Sequence, residues 1–509
     1  MSTSPAEAKG LKISPAEPFA DDVGVSQSEK YQSGEDSFEI FKKGEGQVDF
    51  RTVGWLQAAV IFLKVIFATG ILSIPSVMYD LGAFPGAVNL VGWCVLNAYG
   101  AIVLGNFRNS YPGCHSIVDM VHLAGGRWGP LMREIVGVMF ILAYVIVASS
   151  GIIGVSAAFN ALSRHAMCTV YWSLVSTAIV ALFASVRKFA HVGWLTWVGF
   201  FSVFAAVFII VYASFPPPPP FPPKAPSVAN SHSRLADKLT NSRRIGVTTR
   251  DRPAAAPQTG PFDLGFRAIG NPTFAVGITA SATIFCSSAA TSAFLPVISE
   301  MRKPRDYPKA VYLSMSFVTT SYLAFSLVIY AWCGKWIASP SLGSAGETVK
   351  RVAYGIALPG LIVSGALYVH VGAKYLFVRI LRHSKHLQAN TLVHWGTWLG
   401  CTISLSAISF LLASAIPIFT YVLALVGSLC YSPLAICLPG WLWLYSHQHY
   451  RRGSVGRLVI YGLHVGMILL GIFMTVGGTY GVVVQIMEAY RNGRIDQAFS
   501  CADNSGTVS

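Results

Sequence analysis

Charge is what this sequence most lacks. Of its 509 residues only 12% are Asp, Glu, Lys or Arg, whereas 53% are hydrophobic, and the mean hydropathy is +0.54. A soluble domain carries about 25% charged residues, because its surface must face water. The composition therefore excludes an ordinary soluble protein and predicts a chain embedded in a membrane.

Several chemical motifs are also missing. The nine cysteines contain no Cys-x-x-Cys pair, so their spacing indicates neither a zinc site nor a redox motif. Gly334-Lys335 is not preceded by the glycine that a phosphate-binding loop needs, so no ATP-driven pump is expected. His383, His386, His447 and His449 lie near arginines in loops, where solvated histidine is commoner than a metal ligand. We therefore expect no enzyme, no metal and no cofactor.

Long apolar windows recur along the chain. A bilayer is crossed by about 20 apolar helical residues. The predicted fold is an all-α integral membrane protein with about eleven transmembrane helices. The expected spans, numbered one to eleven, cover residues 54–79, 83–107, 132–159, 169–186, 191–214, 271–298, 309–333, 350–381, 393–415, 417–445 and 456–485.

The remaining segments are polar. Residues 1–53 are acidic, show no secretory signal and predict a disordered tail, which offers a contact for cytoplasmic regulators. Residues 215–270 form a long basic loop whose five-proline run at 216–220 predicts an extended spacer. A short tail, 486–509, follows the last span. The predicted division is thus five spans in 54–214, five in 271–445, and one in 456–485.

Orientation follows from the basic residues of the short loops, which accumulate on the cytoplasmic side. With the N-terminal tail in the cytoplasm, most loop lysines and arginines fall on that side. This topology explains the net charge of +15, and no nucleic acid partner is expected. The plasma membrane is the expected location, with the vacuolar membrane as the alternative. Three cysteines then lie near the outer face, where two can pair: Cys168, Cys333 and Cys501.

Two predicted spans are interrupted near their middles. Span one carries Thr69-Gly70 and Pro75, and span six carries small polar residues at 286–292 and then Pro296. These spans are five apart and enter the bilayer from opposite sides. Secondary transporters often consist of inverted repeats whose first helices break at the substrate site. The pattern predicts a five-plus-five inverted repeat, although a simple kink at Pro75 would explain span one alone.

Broken helices predict a binding site for a zwitterion. A break leaves N–H and C=O groups bare where water is absent, and a ligand must satisfy them. An amino acid carboxylate can meet N–H groups at the start of a half-helix, and its ammonium can meet carbonyls near Phe67 and Ala68 or near Phe285. Tyr144 of span three is a candidate aromatic gate or an ordinary core residue. The predicted substrate contacts are Ala68, Thr69, Gly70, Ile71, Leu72, Phe285, Ser287, Ser288, Ala290, Thr291 and Tyr144.

Ionisable residues within spans are costly and usually functional. Lys64, His370 and Lys374 are the candidates for ion coupling. Lys64 and Lys374 can instead snorkel to an interface, Lys64 can pair with a carbonyl, and His370 can bond a backbone carbonyl. Glu300, beside basic residues at the end of span six, is a gate candidate or a solvated interfacial residue.

Several segments resemble the amino acid/auxin permease family. FATGILSIPSVMYDLG at 67–82 resembles the family's first helix, and VISEMRKPRDYPKA at 297–310 resembles the segment after its sixth. NFRNSYPGCHSIVDM, ALYVHVGAKYLFVRILR and HWGTWLG resemble its fungal neutral amino acid permeases. The resemblance covers residues 50–485. It implies a leucine-transporter-like arrangement and proton-coupled or facilitated amino acid uptake.

One position departs from the family. Many members have Gly-His where this sequence has Ala290-Thr291, so proton coupling must use another group or be absent. The small uncharged residues 287–291 offer no countercharge, which favours neutral L-amino acids as substrates. The family resemblance implies a proton gradient as the expected driving force. The alternatives are a sodium-coupled or uncoupled carrier, an amino-acid-sensing receptor on a transporter scaffold, and a channel or scaffold protein.

Overall fold

The computed structural model describes residues 53–114, 116–186, 189–213, 253–257, 262–382, 384–387, 391–493 and 498–505. The N-terminal tail up to residue 52 and most of the 215–270 loop lie outside these residues, and so do the predictions made for them. Within the described residues the regular elements are helices, apart from an isolated β-bridge between Val53 and Met301. The predicted all-α class is confirmed.

The helices follow the predicted order of spans. Seven described helices are long and apolar enough to cross a membrane, and two bent helix pairs bring that number to nine. Two shorter apolar helices, Thr169–Ala184 and Trp197–Tyr212, lie at the positions of spans four and five. In chain order the α-helices at the predicted spans are Trp55–Leu81, Ala83–Ser110, Gly129–Ser163, Thr169–Ala184, Phe189–Ala213, Phe274–Cys286 with Phe294–Ile298, Tyr307–Cys333, Glu347–Leu381, Leu392–Ala415, Phe419–Val426 with Leu438–Ser446, and Val455–Phe473 with Thr479–Arg491. A short helix, Ile117–Ala124, lies between spans two and three.

The spans pack in two groups of four. Spans one, two and seven pack on one another, with span six against spans one and two, and spans three, four, eight and nine form a second group. Span five lies against spans one and eight, and span ten lies against spans two, three and six, so these two connect the groups. Small residues permit the closest crossings: a Cβ atom at Gly151 of span three would lie 2.8 Å from Cα of Gly365 in span eight.

The two ends of the bundle are fastened differently. At the end that we call the Glu300 end, the Val53 N–H donates to the Glu300 carbonyl at 3.0 Å, and the Arg302 N–H donates to the Val53 carbonyl at 2.9 Å. At the opposite end, the disulfide end, Cys168 is bonded to Cys501. The prediction that two of the three outer cysteines can pair is confirmed, and Cys333 remains a buried free thiol.

Candidate functional site

Span six is interrupted where the sequence predicts. Its first helix ends at Cys286, a turn follows, and a 3₁₀ turn over Ala290–Ala293 leads to the short helix Phe294–Ile298. The polar residues of this interruption are buried, among them Ser287, Ser288 and Thr291. A buried segment without regular helix must find partners for its polar groups, which makes it the centre of the candidate site.

Span one is bent rather than broken. The axes of Trp55–Phe67 and Gly70–Leu81 meet at 46°, yet the backbone stays helical from Trp55 to Leu81. The expectation of two fully discontinuous helices is therefore corrected for span one. A helix can bend without losing most of its backbone hydrogen bonds, and Pro75 has no N–H to donate to the carbonyl four residues earlier. The side chains of Ala68 and Thr69 lie outside the described residues.

The bend of span one rests directly on the interruption of span six. A Cβ atom at Gly70 would lie 2.8 Å from the Ser287 carbonyl oxygen and 2.5 Å from the Tyr322 hydroxyl, so only glycine fits there. The Ser73 hydroxyl donates to the Gly70 carbonyl at 2.9 Å. Ile71 and Leu72 are fully buried behind this contact. The structure thus brings the predicted residues of both spans together.

Two tyrosine hydroxyls donate hydrogen bonds to carbonyl groups in the first half of span one. Tyr368 donates to the Val65 carbonyl at 2.5 Å, and Tyr322 donates to the Ile66 carbonyl at 2.8 Å. The Tyr322 hydroxyl also lies 3.3 Å from the Ser287 carbonyl. Both tyrosines, from spans seven and eight, thus contact span one, and Tyr322 also contacts span six. Sequence reasoning missed them, because a tyrosine within an apolar helix is usually an ordinary core residue.

Asn97 of span two forms hydrogen bonds with the interruption of span six. Its amide donates to the Ser288 hydroxyl at 2.8 Å and to the Phe285 carbonyl at 3.4 Å. The Phe285 carbonyl, an expected partner of a substrate ammonium, therefore already has a donor. A polar residue at mid-membrane is a signal of function that could have identified Asn97 from the sequence.

Tyr144 contacts the interruption of span six, and its role as a gate stays a prediction. Its hydroxyl is 3.2 Å from the Ser292 hydroxyl, its ring is buried, and the Phe140 ring lies 4.6 Å away. The nearby Thr291 hydroxyl is buried and has no hydrogen-bond partner among the described residues, while Ala290 is buried beside it. An unsatisfied buried hydroxyl is unfavourable by roughly 1–3 kcal/mol, which a bound polar ligand would recover.

Lys64 is buried between spans one and eight. Its ammonium donates to the Ser364 hydroxyl at 2.9 Å and to the Gly360 carbonyl at 3.3 Å, and 1% of the residue is exposed. This burial excludes snorkelling. No carboxylate within the described part of the chain forms an ion pair with it. A Cβ atom at Gly199 of span five would lie 2.8 Å from Cε of Lys64, so glycine makes the room.

The other two ion-coupling candidates lie elsewhere on span eight. Nδ1 of His370 is 3.2 Å from the Ala184 carbonyl, and its ring packs edge-on against Trp398 at 5.1 Å. Gly360, Ser364 and Tyr368 of span eight bond with span one, whereas His370 lies against Ala184 of span four and Trp398 of span nine. The coupling role of His370 stays a prediction.

Lys374 and Glu300 form an ion pair at the Glu300 end. The Lys374 ammonium lies 3.0 Å from the Glu300 carboxylate, with 23% and 13% of the two side chains exposed. The pair joins span eight to the segment that follows span six, which also carries the bridge to Val53. This arrangement connects the two four-span groups and fits the predicted gate at Glu300.

Breaking this pair should slow transport moderately. We expect Glu300→Gln to reduce the initial uptake rate by about fivefold, which corresponds to about 1 kcal/mol for a partly exposed pair. The charge-exchanged variant, Glu300→Lys with Lys374→Glu, should recover part of the rate. Uptake into vesicles at equal protein content measures both. Equal losses in the single and exchanged variants would contradict a pairing role.

The comparisons with known proteins agree with this architecture. A profile of the family described as "Transmembrane amino acid transporter protein" matches residues 51–217 and 271–484. A "Transmembrane transporter" of Gibberella moniliformis is 46% identical over 491 residues, which cover 96% of this chain and 95% of that protein. An "N amino acid transport system protein" of Neurospora crassa is 26% identical and covers 90% of each chain.

A solved structure shows the same fold. It is a Na⁺-coupled sialic acid symporter in a substrate-bound, outward-open state, with a TM-score of 0.51 and 13% identity over 92% of this chain and 98% of that one. The predicted leucine-transporter-like fold is confirmed. The family match and the relatives show that the protein is a membrane transporter and not an enzyme. From the profile match and the relatives, this chain belongs to the transmembrane amino acid transporter family.

Proposed function

We propose that this chain moves neutral L-amino acids across a membrane by proton-coupled alternating access. The observation that carries the proposal is the buried Lys64 ammonium, which joins span one to span eight shortly before the bend of span one. Substrate binds beside the contact between Gly70 and Ser287, next to the unpartnered Thr291 hydroxyl, and the two four-span groups move relative to each other around it. The fold and the family support secondary transport with an amino acid as substrate.

The lining supports a neutral substrate. The interruption of span six offers hydroxyls and small apolar groups at residues 287–291, and these are buried. A cationic or acidic side chain placed there would lack a countercharge and lose its hydration, which is unfavourable. The relative from Neurospora crassa is named for amino acid transport.

Lys64 supplies a physical route for proton coupling. A protonated ammonium holds the Ser364 hydroxyl and the Gly360 carbonyl, because both oxygens accept its N–H groups. Loss of the proton removes one donor and the charge, so the attraction between spans one and eight weakens. The proton would thus act at the interface between spans one and eight, which must open during transport. The mechanism would not need a sodium ion.

Two independent features support a proposed membrane orientation. Basic loop residues favour a cytoplasmic N-terminal tail, where regulators could bind. The disulfide between Cys168 and Cys501 lies at the end opposite to Glu300, and disulfides persist in oxidising compartments. The Glu300 end is therefore proposed to be cytoplasmic and the disulfide end external, with the plasma membrane as location.

Uptake of radiolabelled leucine into proteoliposomes tests this function. We expect accumulation when the outside is acidic, no requirement for sodium, and competition by phenylalanine but not by arginine or glutamate. Accumulation that requires sodium would overturn the proton coupling. Stronger competition by arginine or glutamate would overturn the neutral substrate class, and binding without accumulation would indicate a receptor.

A further inference from the structure

Span ten also departs from regular α-helix near its middle, an interruption that the sequence analysis did not anticipate. After the helix Phe419–Val426 it runs through two π-helical turns, Gly427–Tyr431 and Pro433–Cys437, and the halves on either side of Ser432 are bent by 41°. Pro433 has no N–H to donate, and the Ser432 hydroxyl donates to the Gly471 carbonyl of span eleven at 2.7 Å. Single π-helical turns within α-helices occur frequently at functional sites.

This interruption places Tyr431 beside the candidate site. Tyr431 is 1% exposed, and its hydroxyl has no hydrogen-bond partner among the described residues. The turn Gly427–Tyr431, to which it belongs, packs on spans three and six. A Cβ atom at Gly427 would lie 2.9 Å from Cβ of Cys286, where the first helix of span six ends. A phenolic hydroxyl buried without a partner at this place points to a ligand that supplies one.

We infer that Tyr431 donates a hydrogen bond to the α-carboxylate of the bound amino acid. The inference deepens the proposed function and rests on it. A phenolic O–H is a donor, and its bond to a carboxylate is stronger than a bond between neutral groups. The unpartnered Thr291 hydroxyl offers a second donor on span six. Span ten, which connects the two four-span groups, therefore takes part in substrate recognition.

The test compares leucine with leucinamide, whose neutral amide replaces the carboxylate. In Tyr431→Phe we expect the leucine concentration for half-maximal binding to rise about tenfold, and the leucinamide concentration for half-maximal competition to change less than about twofold. Tyr312→Phe, a change at a lipid-facing tyrosine with 59% exposure, is the matched control and should leave both values unchanged. Equal effects of Tyr431→Phe on both ligands, or none on leucine, would overturn the inference. Failure of the wild type to accumulate leucine would instead reject the proposed function.

A second inference comes from the C-terminal segment 498–505, which folds back onto the disulfide end. Besides the Cys168–Cys501 bond, the Asn504 amide donates to the Ser156 hydroxyl at 2.9 Å. Asn504 also accepts from the Asn160 amide at 2.8 Å. Through these bonds the segment lies across the ends of spans three and four.

The same segment also contacts spans eight and nine and the turn Ser341–Ser344, which packs on span one. The Phe499 N–H donates to the Ser414 carbonyl of span nine at 3.0 Å, and Asp503 interacts electrostatically with Lys350 at the start of span eight. The Ser505 carbonyl lies 3.6 Å from the position of a Cβ atom at Gly343. Gly343 belongs to the buried 3₁₀ turn Ser341–Ser344, which contacts spans one, five and eight.

We propose that residues 498–505 form a clasp that a thiol can release. Closed, the clasp ties spans three, four, eight and nine to the turn that rests on span one, so it restrains opening of the disulfide end. An external dithiol attacks the exposed Cys501 sulfur, forms a mixed disulfide and then closes to its own cyclic disulfide. Two protein thiols result, and the two electrons come from the dithiol. Release speeds the opening step of transport.

Uptake before and after reduction tests the clasp. With dithiothreitol, we expect the maximal uptake rate of the wild type to rise about threefold, as for release of a gating restraint. A Cys168→Ser, Cys501→Ser double variant should show the raised rate without reductant and no response to it. Thiol labelling confirms that the bond has been reduced.

A variant that keeps the disulfide separates the clasp from general loosening. Asn504→Ala removes the bonds to Ser156 and Asn160 and should raise the rate in the same direction. An unchanged wild-type rate after confirmed reduction would overturn the proposal. So would an equal response to dithiothreitol in the double variant, or an Asn504→Ala rate equal to that of the wild type.

Discussion

Lys64→Met should reduce acid-driven leucine uptake by at least about 100-fold while the protein still folds. Methionine fills a similar volume in the space next to Gly199 but cannot donate to Ser364 or Gly360. Two charge-assisted bonds between spans one and eight are lost, together with the group proposed to carry the proton. Since Ser364 also donates to the Gly360 carbonyl at 2.6 Å, both oxygens keep a partner and the fold survives.

Initial rates in proteoliposomes, with size-exclusion profiles to check folding, measure the effect. Ser364→Ala is the graded control, because it removes one acceptor and leaves the ammonium and the Gly360 carbonyl; we expect about a tenfold loss. The Lys64→Met variant should also lose the response of leucine exchange to external pH. A folded variant that keeps acid-stimulated uptake would show that Lys64 has only a packing role.

The sequence could predict the spans and the interruption of span six for simple physical reasons. Apolar length specifies a bilayer span almost independently of its neighbours. A run of small polar residues followed by Pro296 weakens a helix locally, and the structure interrupts span six there. The ion-pair partner of Glu300 could not be predicted from a local sequence pattern, because Lys374 lies 74 positions further along the chain.

The polar residues that complete the site depend on tertiary contacts. Tyr322 and Tyr368 bond carbonyls of span one from 256 and 303 positions away. Only the packing of spans seven and eight on span one distinguishes them from other buried tyrosines. The π-helical turns of span ten could not be predicted either, since Pro433 indicates a weak point in the helix but not a change from α- to π-helix. For span one the polar residues suggested a break, and the tertiary contacts allowed a bend.

Gly70→Ala should reduce uptake by about 100-fold, because span one and span six can meet only at a residue without a side chain. The added methyl would lie 2.8 Å from both the carbonyl oxygen and Cβ of Ser287, and a backbone oxygen cannot rotate away. Overpacking a buried contact is unfavourable by about 1–3 kcal/mol. Here the strain falls on the two segments that we propose bind substrate, so the proposed binding geometry is lost with it.

The controls separate this contact from a general effect of alanine in a helix. A Cβ atom at Gly92 of span two meets no atom within 4 Å, so Gly92→Ala should keep the wild-type rate and gain slightly in thermal stability. Adding Tyr322→Phe to Gly70→Ala relieves the hydroxyl clash but not the one with the Ser287 backbone, so uptake should not return. Full uptake by Gly70→Ala would mean that the two spans separate at this point at no cost to transport, and the substrate site would then have to lie elsewhere.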